Sequence, residues 1–346
     1  MNGIPHDHDG LAQSRPVELQ ASPPGDSGMF LFCFHKGMAV ITSRFDDTHL
    51  DRATKPDFDE LEAKYFGTRT VPVRVEFGGL SDRGLVRSVN EDHFTVVRRF
   101  RSREVLLTNM PAEAYVQPGE EAYALAVADG VGGAAFGELA SMLALRTGWE
   151  LTGRAFKWAF KLPDAEITEL KEAINVYVQL IHRRLKEEAA ANANYQGMGT
   201  TLTGVLTAGM DAFVVHVGDS RAYLYRQGSL HRLTKDQTLA ELMASTGLIA
   251  SVDEAATRFR NTLISCLGGN FDHVEVETSH ITMEDGDHLL LCTDGLTDMV
   301  SEADIAGILA HSSTAQTRCQ ELIDAALNGG GRDNVTVVLG KYSIGA

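Results

Sequence analysis

Several aspartates of this chain stand beside glycine or asparagine at the ends of apolar runs. Asp129-Gly130 follows Ala124 to Ala128, Gly218-Asp219 follows Phe213 to Val217, and Asp294-Gly295 follows Leu289 to Thr293. Asn90-Glu91-Asp92 and Arg332-Asp333-Asn334 directly precede such runs. A single Asp-Gly pair is ordinarily a turn. Repeated at the ends of separate strands, the carboxylates can converge on one end of a sheet, where they repel one another unless a cation neutralises them. Glycine beside a ligand carboxylate lets the backbone come close enough for a carbonyl oxygen or a bound water to join the coordination shell. Oxygen-only ligation suits magnesium or manganese and disfavours zinc. Among hydrolytic reactions, two such ions roughly 3.5–4 Å apart fit the cleavage of phosphate esters.

The elements that must hold these residues are legible as short apolar or alternating runs between turn signals. Val73 to Phe77, His93 to Val97, Ala122 to Ala128, Thr203 to Leu206, Phe213 to Val217, Ala222 to Tyr225, His288 to Cys292 and Asn334 to Leu339 read as strands. Ile167, Leu170, Ile174, Tyr177, Val178, Ile181 and Leu185 recur at helical steps, and Leu139, Met142, Leu143 and Trp149 suggest a second helix just before. Two adjacent helices between two groups of strands imply a helical hairpin packed on a sheet. Ser301 with Asp304 reads as a helix start, and Thr314 to Leu327 as a helix stopped by Gly329, Gly330 and Gly331. Segregated strands and helices argue for an α+β fold and against an alternating parallel nucleotide-binding fold.

Composition narrows the partners. With 31 Lys and Arg against 47 Asp and Glu the formal charge is −16, which disfavours a nucleic-acid backbone or an anionic membrane surface. Cys33, Cys266, Cys292 and Cys319 are scattered and form no C-x-x-C pair, so neither a zinc site nor a disulfide framework is expected. The polar, acidic start does not read as a secretory signal, and the apolar run from Met29 to Phe34 is too short to span a bilayer. A cytoplasmic location is the expectation. Residues 1–28 have the composition of a mobile arm, residues 29–72 read as an extension that either packs on the main domain or binds a partner, 73–341 form the catalytic domain, and 342–346 a short tail.

Seven segments carry a resemblance. Ser81-Asp-Arg-Gly-Leu-Val-Arg-Ser-Val-Asn-Glu-Asp92, Ala126-Val-Ala-Asp-Gly-Val-Gly-Gly133, Gly197-Met-Gly-Thr-Thr201, Val217-Gly-Asp-Ser-Arg221, Leu233-Thr-Lys-Asp236, Cys292-Thr-Asp-Gly-Leu-Thr-Asp298 and Gly331-Arg-Asp-Asn-Val-Thr336 occur in the order seen in the metal-dependent, type 2C (PPM-type) serine/threonine protein phosphatases. The chain resembles the bacterial branch most. That resemblance implies a central antiparallel β-sandwich flanked by helical pairs, an α-β-β-α four-layer architecture, with two or three Mn2+ or Mg2+ ions at one edge. It implies that Asp129 bridges two metals with the Gly130 carbonyl on one of them. Asp92, Asp294 and Asp333 complete the set, with Glu91 holding a coordinated water. Asp219 with Asp294 and Asp298 would form a weaker third site. Arg87 stands where the family has its phosphate-binding arginine, whose planar guanidinium can grip two phosphate oxygens. The implied reaction is attack of a metal-bridging hydroxide on the phosphorus of phosphoserine or phosphothreonine in proteins, without a phosphoenzyme. Its implied partners are phosphorylated proteins and a bacterial serine/threonine kinase whose action it reverses.

The chain departs from the pattern at two places. Val131 follows Asp129-Gly130 where some members carry a histidine, so the leaving group would take its proton from metal-bound water. Gln237 stands where a histidine or acidic residue is common, with an expected effect on local hydrogen bonding only. Arg83 is expected to be solvent-exposed, and residues 238–267 occupy the place of the family's flap. Two other readings stay open: an inert member acting as a binding module, which the complete aspartate set disfavours, and a phosphatase of anti-anti-sigma factors, whose relatives generally lack so complete a set.

Overall fold

The computed structural model describes residues 73–101, 106–109, 111, 120–131, 136–155 and 164–345. The chain divides into two units, residues 1–56 and 57–346, and every described residue belongs to the second. The expectations for residues 1–28 and 29–72, and for Cys33, therefore lie outside the described residues.

Thirteen strands are described: β1 (Val73–Asp82), β2 (His93–Arg101), β3 (Glu120–Ala128), β4 (Gly130–Val131), β5 (Gly199–Thr200), β6 (Leu202–Ala208), β7 (Asp211–Val217), β8 (Arg221–Arg226), β9 (Ser229–Arg232), β10 (Leu267–Gly268), β11 (Glu277–Thr282), β12 (His288–Cys292) and β13 (Val335–Ile344). The helices are α1 (Gly137–Ala155), α2 (Asp164–Ala191), α3 (Leu239–Ser245), α4 (Thr257–Arg260), α5 (Asp294–Thr297), α6 (Glu302–Leu309) and α7 (Ala315–Asn328). One five-stranded sheet runs β1-β13-β12-β8-β9, a second runs β11-β7-β6-β3-β2, and a small three-stranded sheet runs β10-β5-β4. The paired strands are antiparallel throughout.

Three clusters of buried side chains hold four layers together. Between the two large sheets pack Leu125, Val127, Val205, Val214, Leu289, Leu291, Val338 and Tyr342. On the outer face of the first sheet, Leu290, Val337 and Leu339 meet Ile305 and Leu309 of α6 and Cys319, Leu322 and Ile323 of α7. On the outer face of the second, Phe213 and Val215 meet Ile174, Val178, Ile181 and Leu185 of α2 and Ala140 and Ala144 of α1. The arrangement is the helix, sheet, sheet, helix order that the resemblance implies. Strand β12 serves both inner and outer faces, which is why it reads as an unbroken apolar run: all five of its residues are buried. Each fully buried leucine there contributes roughly 1.5–3 kcal/mol.

Local chemistry sets the helix ends. Thr314 caps α7 by accepting from the Thr317 N–H at 3.1 Å, and Gly329 closes it. Ser301 caps α6 through the Asp304 N–H at 3.2 Å. Strand β13 continues past Lys341 to Ile344 with Tyr342 fully buried, so 342–344 belong to the sheet and not to a tail. Its last residue pairs with Val73, the first of β1.

Candidate active site

The strand register brings the sequence-predicted carboxylates to one edge of the sandwich. His93 of β2 pairs with Ala128 of β3, which puts Asp92, just ahead of β2, beside Asp129, just after β3. In the other sheet Cys292 of β12 pairs with both Arg221 of β8 and Val337 of β13. Asp219 precedes β8, Asp294 opens α5 immediately after β12, and Asp333 precedes β13. The two halves join where the Thr293 hydroxyl donates to Asp92 Oδ2 at 2.8 Å. Thr293 also exchanges backbone and side-chain bonds with Thr336, so the pair ties Asp92 to the start of β13.

The electrostatics follow from crowding like charges. Burial pushes the Asp92 carboxyl up to about 7, with Asp294 and Asp333 adding to the rise against hydrogen bonds from Thr336 and Thr293. Burial also raises Asp294 to about 7, helped by Asp298 and Asp333. Asp129 is held well above the ordinary carboxylate range by burial and then by Asp92, Asp294, Asp219 and Asp333. Asp219 is raised in the same sense by burial, Asp294 and Asp236. Carboxylates in this state cost free energy when ionised, and a nearby cation reverses the sign of that cost. Arg87 supplies one such charge from the side: its guanidinium lies 2.6 Å from Asp333 Oδ2.

Among the described residues, no three His, Cys, Asp or Glu side chains close around one point with the geometry of a finished ion cage. The acceptors are nonetheless waiting. Glu91 Oε1, Asp92 Oδ1 and Asp294 Oδ1 are buried with no hydrogen-bond partner, a costly condition that an oxygen-seeking cation would relieve. Gly137, at the start of α1, leaves room in front of one of these oxygens and of a backbone carbonyl: a methyl group on it would lie 2.7 Å from Glu91 Oε1 and 2.8 Å from the Gly130 carbonyl oxygen. The residues present fit a hard divalent cation.

Several residues position this edge that motif reading did not single out. Asn334, buried, accepts from the Glu91 N–H at 2.8 Å and donates to the carbonyls of both Arg83 and Val89 at 2.9 Å, so one amide closes the base of the loop that carries Arg87. Thr201 accepts from the Asp129 N–H at 2.9 Å, donates its own N–H to the Asp129 carbonyl at 2.9 Å, and shares a hydroxyl bond with Ser220, next to Asp219. Ser141 of α1 donates to the Glu91 carbonyl at 2.6 Å. Gln237 braces the Gly218-Asp219 turn by accepting from the Gly218 N–H at 2.9 Å, the local hydrogen bonding that its departure from the pattern suggested. Asn334→Ala leaves one N–H and two carbonyls without partners, a cost of about 3 kcal/mol at about 1 kcal/mol each. A melting temperature lower by about 6–12 °C is expected in a domain of this size. A melting temperature within about 2 °C of the parent would show that water replaces the amide.

Two sequence-predicted residues sit at the margin. Asp298, just past α5, is exposed. Arg83 is exposed, as expected. The described cysteines, Cys266, Cys292 and Cys319, are buried and their thiols pushed up to about 12, so none offers a thiolate at neutral pH.

Behind the site lies a neutral histidine. His216 places Nε2 3.0 Å from the Lys235 carbonyl, so Nε2 carries the ring proton, and Nδ1 lies 2.8 Å from the Thr203 hydroxyl. Burial pushes its imidazole from 6.5 down to about 4. The unfolded chain takes up a proton near pH 6.5 that the folded chain refuses until about pH 4. The His216 contribution to stability is therefore complete above about pH 6.5 and falls by about 3 kcal/mol as the pH drops toward 4, while the raised carboxyls of Asp92 and Asp294 act in the opposite sense. The Cε1–H resonance of His216 is expected to hold its neutral position down to pH 5, and a midpoint near 6.5 would contradict this.

Comparison with known proteins points one way. The family model described as "Protein phosphatase 2C" matches residues 112–328. The chain is 34% identical over 272 residues to "Serine/threonine protein phosphatase PstP" of Mycobacterium tuberculosis, covering 78% of this chain but 45% of that protein. It thus spans less than half of that relative. It is 32% identical over 259 residues to "Serine/threonine phosphatase stp" of Listeria innocua, covering 75% of this chain and 92% of the other. Among solved structures, the catalytic domain of PstP in complex with two manganese ions superposes with a TM-score of 0.60 at 31% identity, over 79% of this chain and all of that one.

Proposed function

The chain belongs to the protein phosphatase 2C family, and from that membership and the carboxylate edge we propose that it hydrolyses phosphoserine and phosphothreonine in proteins with two or three bound Mn2+ or Mg2+ ions. The observation that carries the proposal is the meeting of Asp92, Asp129, Asp219, Asp294 and Asp333 from separate strand ends, with three buried acceptor oxygens left unpartnered. The chemistry supplied by the bound cations is activation of water and neutralisation of phosphoryl charge.

The protein's own groups do the rest. Asp129, Asp92, Asp294 and Asp333 would hold the ions with the Gly130 carbonyl, and Glu91 would orient water beside them. Asp219 and Asp294, joined by the exposed Asp298, are the third-site candidates. Arg87 offers the phosphate a planar set of donors of which one arm already engages Asp333, so the ester is gripped against the carboxylate edge. Val131 can neither accept nor give a proton, which leaves the leaving alkoxide to be protonated by solvent. The buried, protonated thiols exclude the described cysteines as nucleophiles and favour direct attack by water. Among the described residues no helix is long and apolar enough to cross a membrane. We place the enzyme's action in the cytoplasm, opposing a serine/threonine kinase.

Hydrolysis of a phosphothreonine peptide tests the reading. Turnover is expected with manganese or magnesium and should fall to background with EDTA. Turnover untouched by EDTA would remove the metal mechanism. A folded protein that binds manganese yet releases no phosphate from peptides or phosphoproteins would instead be a binding module.

A further inference from the structure

The connection between β1 and β2 is unusual in what it exposes. Leu85 is 67% exposed, Val86 69% and Val89 45%, and all three lie within two residues of Arg87, whose side chain is itself 51% exposed. Scattered apolar residues on a surface are normal, but three gathered about one arginine form a patch. This patch stands on fixed backbone. Leu85 N–H donates to the Gly331 carbonyl at 2.7 Å, Gly84 N–H to Asp82 Oδ1 at 2.7 Å, and Asn334 ties the carbonyls of Arg83 and Val89 together. A loop so anchored has already lost its backbone entropy, so a partner that covers its side chains does not pay for ordering them.

We propose that Leu85, Val86 and Val89 form a ledge that receives the polypeptide on either side of the phosphorylated residue and selects substrates with apolar side chains at those positions. The inference rests on the phosphatase reading above and adds a substrate class to it. The Arg87 guanidinium is carried on the same short connection as the three exposed apolar side chains, so a substrate whose phosphate it holds must run across or beside that connection. Apolar neighbours there cover the valine and leucine surfaces. Acidic neighbours would approach a chain with 47 acidic against 31 basic residues, and are disfavoured by repulsion. The ledge therefore discriminates twice, by attraction and by charge.

Three phosphothreonine peptides, identical except that valine, serine or glutamate flanks the phosphothreonine on both sides, test this with manganese present. The valine peptide is expected to exceed the serine peptide by about tenfold in kcat/KM, mainly through KM, the usual size of discrimination from one or two apolar contacts. The glutamate peptide should be poorer still. In Val86→Ser/Val89→Ser the valine-to-serine ratio should fall to within about twofold; a ratio between peptides is unaffected by how much of the variant folds. Equal rates on all three peptides in the parent, or an unchanged ratio in the variant, would overturn the ledge while leaving the phosphatase reading intact. If neither the peptides nor p-nitrophenyl phosphate is hydrolysed, the phosphatase reading fails first and takes the ledge with it. A parent that dimerises at micromolar concentration, with a monomeric variant of unaltered selectivity, would assign the patch to a second copy of the chain and also overturn the proposal.

Discussion

Asp129→Ala is expected to lower kcat on a phosphothreonine peptide by about a thousandfold or more, equivalent to about 4 kcal/mol of transition-state stabilisation, without harming the fold. Both halves of that expectation trace to the crowded site. Asp129 lies among Asp92, Asp294, Asp219 and Asp333, and its charged form is penalised by burial and by all four. Removing it thins the crowded carboxyls but also deletes the hydrogen bond it shares with Asp294, opposing effects that should keep the variant's melting temperature in EDTA close to the parent's. Manganese should separate them again. A ligand at about a hundred times its dissociation constant adds about 2.7 kcal/mol to the form that binds it, so the parent's melting temperature should rise with manganese and the variant's should not. A variant that keeps more than a tenth of the parent's rate would show that Asp129 is not central to the chemistry.

Gly295→Ala should damage both fold and function. Helix propensity alone predicts the opposite, since alanine is better than glycine within a helix by about 1 kcal/mol. Packing decides the sign. A methyl group on Gly295 would sit 2.0 Å from the Asn334 carbonyl oxygen and 2.9 Å from its carbon, backbone atoms that cannot turn aside. The start of α5 must then move away from the start of β13, and with it Asp294 from Asp333. Overpacking of this kind costs about 3 kcal/mol, or a melting temperature lower by about 6–12 °C. A displacement of about 1 Å at the reacting edge lowers the rate about a hundredfold. Circular dichroism melts with kinetics corrected for folded fraction check both. A variant as stable as the parent would mean that the contact relaxes at no cost.

These two residues also mark what the sequence makes legible. Asp129 and Asp294 announce themselves because a strand-ending carboxylate beside glycine is a local pattern, and β12 was read to its residue because three leucines, buried on both faces, leave no alternation to misjudge. The stripe on α2 and the capped α7 announce helices, while the four-layer order is what the resemblance to the phosphatase family implies. Strand β11, Glu277–Thr282, gave no such signal: it is an edge strand of polar and half-exposed residues whose form is dictated by β7 alongside it. Strand β9, four residues at the other sheet's edge, is similar. The Asn334 bonds to Arg83 and Val89 link positions 251 and 245 residues apart and have no sequence signature. The motif containing Asn334 was visible while the reason for an amide there was not. Asp298 shows the reverse limit, since the resemblance groups it with the ligands and its exposure sets it at the rim.

Strand β13 lies between β1 and β12, although it follows both in the chain. A nascent polypeptide emerging from the ribosome has therefore made the two neighbours, but not the strand that joins them, until nearly the whole domain is translated. The Ser81 and Thr336 hydroxyls that meet at 2.7 Å across this seam are 255 positions apart, a contact order that slows folding. Asp333 and Asn334 arrive with the same late strand. Truncated or stalled chains would thus hold an unfilled slot and an incomplete carboxylate edge together, so that catalytic competence and completion of the first sheet become a single event.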